Sequence, residues 1–183
     1  RVSRPLRIEY PGAVYHVMNR GNERRRVFHG RRYYELFLEK LELFAEKFNV
    51  KVRAYCLMPN HFHLYLETEH ANLGRFMQSF LTSFTIVSNR WRKTSGHVFQ
   101  GRYKAYVAQD EKYGSVLSRY IHLNPVRTKS LETGTREEQI KVLYSFRWSS
   151  FSALVGLAKQ PAWLDVEATL CRWGADRIEQ RRN

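Results

Sequence analysis

Cysteine is almost missing from this chain: Cys56 and Cys171 are the only two in 183 residues. A pair so distant excludes a disulfide scaffold and a thiolate metal site, and points to a reducing cytoplasm. Long apolar runs are missing as well. No stretch approaches the roughly 18–20 continuous apolar residues of a membrane span, and no signal-peptide pattern opens the sequence. Internal repeats and low-complexity tracts are absent, which excludes a solenoid or a tethered disordered array. Negative charge is scarce: 17 Asp and Glu stand against 31 Lys and Arg, a formal net charge of +14. That deficit favours a polyanionic partner.

What is present argues for one folded domain. Hydrophobic residues make up 43% of the chain and aromatics 14%, enough to build a core at this length. The basic residues are scattered: Arg1, Arg4 and Arg7; Arg20, Arg24, Arg25 and Arg26; Arg31 and Arg32; Arg90, Arg92 and Lys93; Arg102 and Lys104; Arg181 and Arg182. A membrane-binding helix would gather them on one amphipathic face, so a surface wrapped by nucleic acid fits better.

Periodicity orders the elements. Ala13 to Asn19 alternates as a strand ending at Asn19-Arg20-Gly21-Asn22, and Arg32 to Phe48 carries Tyr34, Phe37, Leu41, Phe44 and Phe48 at helical spacing. Val50 to Met58 alternates again, with Val50, Val52, Ala54 and Cys56 expected on one face, and Pro59-Asn60 turns into a strand at His61 to Glu67. A long helix follows with Leu73, Phe76, Met77, Phe80, Phe84, Val87 and Trp91 on one stripe and Asn72 as its cap. His97 to Val107 reads as a fourth strand with Gly101 as a bulge, and Glu111 to His122 as a third helix stopped by Asn124-Pro125. The order βαββαβ predicts an α+β fold, a ferredoxin-like sandwich with helices on one sheet face and the other face open. Residues 1–128 form the expected core domain, and 129–183 a C-terminal helical extension packed on it, with short helices near Trp148-Ser149-Ser150-Phe151 and from Val166 to Trp173.

The most informative run is Met58-Pro59-Asn60-His61-Phe62-His63-Leu64-Tyr65-Leu66-Glu67. On a strand His61 and His63 project together, about 7 Å apart along the chain, while Phe62, Leu64 and Leu66 point into the core. Two neutral imidazoles at that spacing can share a divalent cation if a third ligand arrives from elsewhere; two half-exposed surface histidines give the same pattern. Tyr120 and Asn124, four residues apart at the end of the third helix, can bring a hydroxyl and an amide oxygen over the same face. Spacing alone does not single Tyr120 out of eleven tyrosines, and a core position on its helix explains it equally. His122 faces away from Tyr120.

Three linked motifs carry a resemblance. Met58-Pro59-Asn60-His61-Phe62-His63, Gly96-His97-Val98-Phe99-Gln100-Gly101-Arg102-Tyr103-Lys104 and Arg119-Tyr120-Ile121-His122-Leu123-Asn124-Pro125-Val126-Arg127 resemble the single-tyrosine HUH transposase superfamily (histidine, hydrophobic residue, histidine). The similarity is to its branch of REP-associated tyrosine transposases, bacterial proteins linked to repetitive extragenic palindromes. Tyr15-His16-Val17-Met18-Asn19-Arg20-Gly21 and Trp148-Ser149-Ser150 match that branch as well. The resemblance spans about residues 8 to 155. It implies the HUH endonuclease fold with an extra catalytic helix and a bacterial, nucleoid-associated protein. It implies metal-dependent cleavage and rejoining of single-stranded DNA beside palindromic hairpins through a 5′-phosphotyrosine. Carried over by motif, His61 and His63 are the metal ligands and Tyr120 the nucleophile. Asn124 stands where relatives place a polar third ligand, often Gln.

Such chemistry needs a cation on the scissile phosphate, and a His-His-Asn set with open positions suits Mg²⁺ or Mn²⁺. Arg20, Arg24, Arg25, Arg26, Arg102 and Lys104 are expected to contact phosphates, and Tyr103, read as an exposed ring between two cations, to stack an unpaired base. Two rivals remain: a metal-dependent nuclease that activates water without a covalent adduct, and a non-catalytic basic module binding DNA or RNA hairpins. A monomer and a homodimer with exchanged helices are both compatible with the sequence.

Overall fold

The computed structural model describes residues 8–108, 111–128, 131 and 133–167. Arg1, Arg4, Arg7, Arg181, Arg182, Cys171 and the C-terminal helix expected up to Trp173 lie outside them. Strand β1 (Ala13–Arg20) leads through a short irregular turn to helix α1 (Arg31–Phe48). Strands β2 (Val50–Met58) and β3 (His61–Thr68) form a hairpin across Pro59-Asn60, helix α2 (Leu73–Arg92) returns, and β4 (Lys104–Val107) closes the sheet. The strand order is β2-β3-β1-β4, antiparallel throughout. That is the expected ferredoxin-like α+β sandwich.

Helices α1 and α2 cover one sheet face because their apolar stripes and the inward strand residues belong to one layer. Phe37 sits at its centre, with its ring centroid 5.0 Å from Phe62, 4.8 Å from Phe80 and 5.2 Å from Phe84. Losing such a ring costs about 3–5 kcal/mol. α1 ends where Asn49 adopts a left-handed conformation, α2 where Lys93 does the same. Asn72 occupies the N-cap position of α2, but its side chain does not cap; it donates to the Phe48 carbonyl at 2.8 Å and ties the two helix ends together.

Two expectations fail in the strands. The alternation Val50, Val52, Ala54, Cys56 does not hold, because the β2–β3 register shifts between Val52 and Ala54. This bulge inserts one residue and reverses the parity. Val50, Val52, Tyr55 and Leu57 therefore join the α1/α2 core, while Ala54, Cys56 and Met58 turn to the opposite face. The fourth strand is also shorter than expected: 97–103 is irregular apart from a bridge between Phe99 and Gly21, and only Lys104–Val107 pairs with β1.

The opposite face is only partly open. Helix α3 (Glu111–His122) packs on β2 and β3, where Leu117 and Ile121 meet Ala54, Cys56, Met58 and Tyr65. A 3-10 turn at Asn124–Val126 follows, then α4 (Arg136–Ser145), opened by a capping box of Thr135 and Glu138, and α5 (Phe151–Leu154). The later chain runs along the outer edge of β2: Leu57 N donates to the Trp148 carbonyl and Asp165 N to the Val52 carbonyl. Among the described residues, no helix is long and apolar enough to cross a membrane.

Candidate active site

Strand parity puts His61 and His63 on the α3 side of β3, with ring centroids 5.2 Å apart and nearly perpendicular. Cross-strand register sets their neighbours: Arg20 and Met58 flank His61, while Met18 and Cys56 flank His63. The bulge in β2 is what brings Cys56 and Met58 to this side. The rings are less accessible than an open face implied: His63 is 2% exposed and His61 half-buried. The covering helix α3 is the reason.

That helix delivers Tyr120. Its half-buried ring lies edge-on to His63 at 5.6 Å between centroids, and the guanidinium of Arg127 sits over it at 4.7 Å. Asn124 leaves the helix end in a defined way. Its Nδ2 donates to the Tyr120 carbonyl at 2.9 Å and the Ile121 carbonyl at 3.2 Å, which satisfies two terminal carbonyls of α3. With the NH₂ group so occupied, Oδ1 is the end of the amide free to face the site, where the Asn124 side chain adjoins the His61 ring and favours its charged form. The four residues expected to converge are together.

α3 is held in place from behind. His122, buried and pointing away from the site as expected, shares a 2.7 Å hydrogen bond between its Nε2 and Ser150 Oγ. Ser150 Oγ also accepts from Tyr55 N at 2.9 Å. The Trp148-Ser149-Ser150 motif is thus a latch between the helix bearing Tyr120 and strand β2. Trp148 itself stacks on Tyr34 at 4.4 Å.

His16 was not singled out by the sequence. It projects from β1 on the same face, paired in register with Tyr65 so that His63 is its diagonal neighbour. Its Nε2 lies 2.9 Å from His63 Nδ1, the two rings stack at 5.1 Å, and Tyr120 stands edge-on to it at 5.8 Å. The alternation Val14, His16, Met18 was the signal, since it places this ring opposite the inward Tyr15 and Val17. Burial keeps all three imidazoles neutral: it pushes His16 down to about 4. His61 also falls to about 4, through burial and then the Arg20 charge, against the opposing pull of the Asn124 side chain. His63 falls to about 3, through burial and then its neighbours His16, His61 and Arg20.

The expected DNA-contacting residues divide. Arg20 is exposed beside His61. Arg24, Arg25 and Arg26 are exposed on the adjoining turn, which is tied to the β2–β3 hairpin by Asn60 Nδ2 donating to the Arg24 carbonyl at 3.1 Å. Arg25 is ion-paired with Glu23. Gly21 permits this turn: a Cβ there would lie 2.2 Å from the Arg25 carbonyl oxygen. Arg102 is exposed next to Gly101, whose carbonyl accepts from Asn19 Nδ2 at 3.0 Å, and Lys104 is exposed on β4. These cations rim the sheet end at which His61 stands. Tyr103 is a correction: it is 7% exposed and belongs to the α1/α2 core, because its parity matches inward Ala105 and Val107. The ring on the site face is Tyr106, 51% exposed and 6.2 Å from His16. Strand alternation from Lys104 would have identified it.

The chain superposes on a REP-associated tyrosine transposase bound to a REP hairpin with a TM-score of 0.68, at 16% identity, covering 90% of this chain and 93% of that one. A putative transposase from Deinococcus radiodurans R1 gives a TM-score of 0.45 at 15% identity, covering 65% of this chain and 95% of the other. No curated protein sequence matches. The family model of IS200-like transposases matches residues 10–124, from the start of the sheet through Tyr120 to Asn124. The chain belongs to the IS200-like transposase family.

Proposed function

We propose that this transposase is a metal-dependent single-strand DNA endonuclease and strand transferase. In this reading it cuts and rejoins DNA next to palindromic hairpins through a 5′-phosphotyrosine on Tyr120. The carrying observation is the convergence of the Tyr120 ring, the two imidazoles of β3 and the Asn124 amide at one sheet face. The structural neighbour bound to a REP hairpin supports the hairpin as partner.

The donor chemistry fits a hard divalent cation. Among the described residues, no three His, Cys, Asp or Glu side chains form a ready-made metal cluster. A ligand set here therefore consists of two neutral imidazoles and one amide oxygen, leaving positions for phosphate oxygens as Mg²⁺ or Mn²⁺ requires. His61, His63 and Asn124 would hold it. When bound, the cation neutralises charge on the scissile phosphate and polarises phosphorus. Tyr120 Oη attacks phosphorus, passing its proton to solvent water, and a Tyr–O–P bond forms. The P–O3′ bond breaks as the 3′ oxygen takes up a proton. The phosphotyrosine keeps a phosphodiester-like bond energy, so an incoming 3′-OH reverses the step without ATP. The Arg127 guanidinium lies over the phenol ring. Arg20, Arg24, Arg25, Arg26, Arg102 and Lys104 engage phosphates, and Tyr106 replaces Tyr103 as the ring on which a base stacks. In this reading residues 1–128 carry the catalysis, and the extension that follows braces the helix bearing Tyr120 through Ser150.

A single-stranded oligonucleotide carrying a hairpin and an intact flanking target site tests this with Mg²⁺ or Mn²⁺. A protein–DNA adduct resistant to denaturant, abolished in Tyr120→Phe, is expected. Cut DNA without adduct would favour water as nucleophile, and binding without cutting a non-catalytic module.

A further inference from the structure

Neither imidazole of the His61-Phe62-His63 run can serve a cation unless the correct ring nitrogen is free, and the structure engages one nitrogen on each ring. His61 Nδ1 lies 2.7 Å from Asn60 Oδ1. The Asn60 amide cannot turn round, because its Nδ2 donates to the Arg24 carbonyl. His61 Nδ1 must therefore donate, which leaves the Nε2 lone pair for a ligand. On His63 the engaged nitrogen is again Nδ1, and its partner is His16 Nε2 at 2.9 Å. Here either ring could carry the proton, and only one arrangement matches His61.

We infer that His16 is a positioning residue, which accepts the Nδ1–H of His63 and so holds its Nε2 as a lone pair facing the same space as that of His61. This rests on the metal-dependent reading above and adds to it the residue that orients the second ligand. A metal-bound histidine ordinarily gives its other N–H to a carboxylate, a backbone carbonyl or a water. No such partner of His63 Nδ1 is needed where a buried neutral imidazole occupies the position, 6% exposed and stacked on the ring it orients. A carboxylate there would add a negative charge to a buried face. The imidazole supplies an acceptor without one. Tyr120 lies edge-on to both stacked rings, so the same contact also fixes the wall against which the phenol rests.

Two substitutions separate orientation from packing. His16→Gln keeps an acceptor near the position of Nε2; His16→Leu keeps an apolar filler without one. In ¹⁵N-histidine-labelled, metal-free protein, long-range ¹H–¹⁵N correlation is expected to show His63 as the Nδ1–H tautomer in the wild type and His16→Gln, and a shift toward Nε2–H in His16→Leu. Mn²⁺ binding should weaken about 10- to 100-fold in His16→Leu and far less in His16→Gln, with hairpin affinity unchanged in both. Wild-type Mn²⁺ affinity in His16→Leu, or equal losses in both variants, would overturn the inference. Mn²⁺ binding by a wild type whose His63 is Nε2–H would overturn it alone. A wild type that binds no Mn²⁺ would overturn the metal reading and this inference together.

Discussion

Cation binding at this site should be almost insensitive to pH over a range where histidine sites normally fail. An ordinary imidazole has a pKa near 6.5, so between about pH 7.5 and about pH 5.5 the neutral fraction of each ring falls to roughly a tenth, and a two-histidine site loses about a hundredfold in affinity. Burial instead holds His61 at about 4 and His63 at about 3. Lowered values mean that the neutral, ligand-ready rings persist to lower pH, so affinity at about pH 5.5 should stay within roughly twofold of that at about pH 7.5. The assay is a Mn²⁺ titration followed by the paramagnetic signal of the free ion, at three pH values across that range. The same burial sets its lower limit. His122 and His16, both held at about 4, take up protons in the unfolded chain near pH 6.5 but not in the native one. Stability is therefore present above that value and declines as pH falls toward 4, so thermal unfolding must be recorded at each point. A loss of more than tenfold in Mn²⁺ affinity by about pH 5.5, with the protein still folded, would refute the argument that these rings are desolvated by α3.

Ser150→Ala removes the partner of buried His122 Nε2 and of Tyr55 N; thermal or denaturant unfolding should show a loss of about 1–3 kcal/mol. Adduct formation should slow in this variant more than hairpin binding weakens, because the latch positions α3 rather than DNA. Tyr106→Ala should cost about 1–3 kcal/mol of single-strand affinity with an unchanged melting temperature, measured by fluorescence anisotropy, whereas Tyr103→Ala should lower the melting temperature instead. Arg20→Gln should weaken DNA binding across sequences and make the dependence of log affinity on log salt shallower by about one.

Much of the framework was legible because it rests on periodicity. The helical stripe of α1, the alternation of β1 and β3, and the Pro59-Asn60 turn each have one physical reading. The bulge in β2 was not legible. Nothing in Val52-Arg53-Ala54 announces an extra residue, and its effect, moving Cys56 and Met58 to the histidine face, depends on pairing with β3. The short β4 had a similar cause: residues 97–103 contain apolar residues that pack into the core with only the Phe99–Gly21 bridge as strand pairing, so alternation overstated the strand, while Tyr103 was read as exposed from its two cationic neighbours. His16 and the His122–Ser150 latch are long-range contacts, 47 and 28 residues apart in sequence, and local spacing cannot reveal such partners. Asn124 was found by its offset from Tyr120. Its orientation came only with the two α3 carbonyls that engage its NH₂ group.

The most direct test is to find where the nucleotide goes. A trapped complex formed with the hairpin oligonucleotide and Mn²⁺, digested with trypsin and nuclease and analysed by mass spectrometry, should carry a nucleotide on the peptide that begins at Tyr120 and ends at Arg127. A nucleotide on any other tyrosine, or cleaved DNA with that peptide unmodified, would contradict the account.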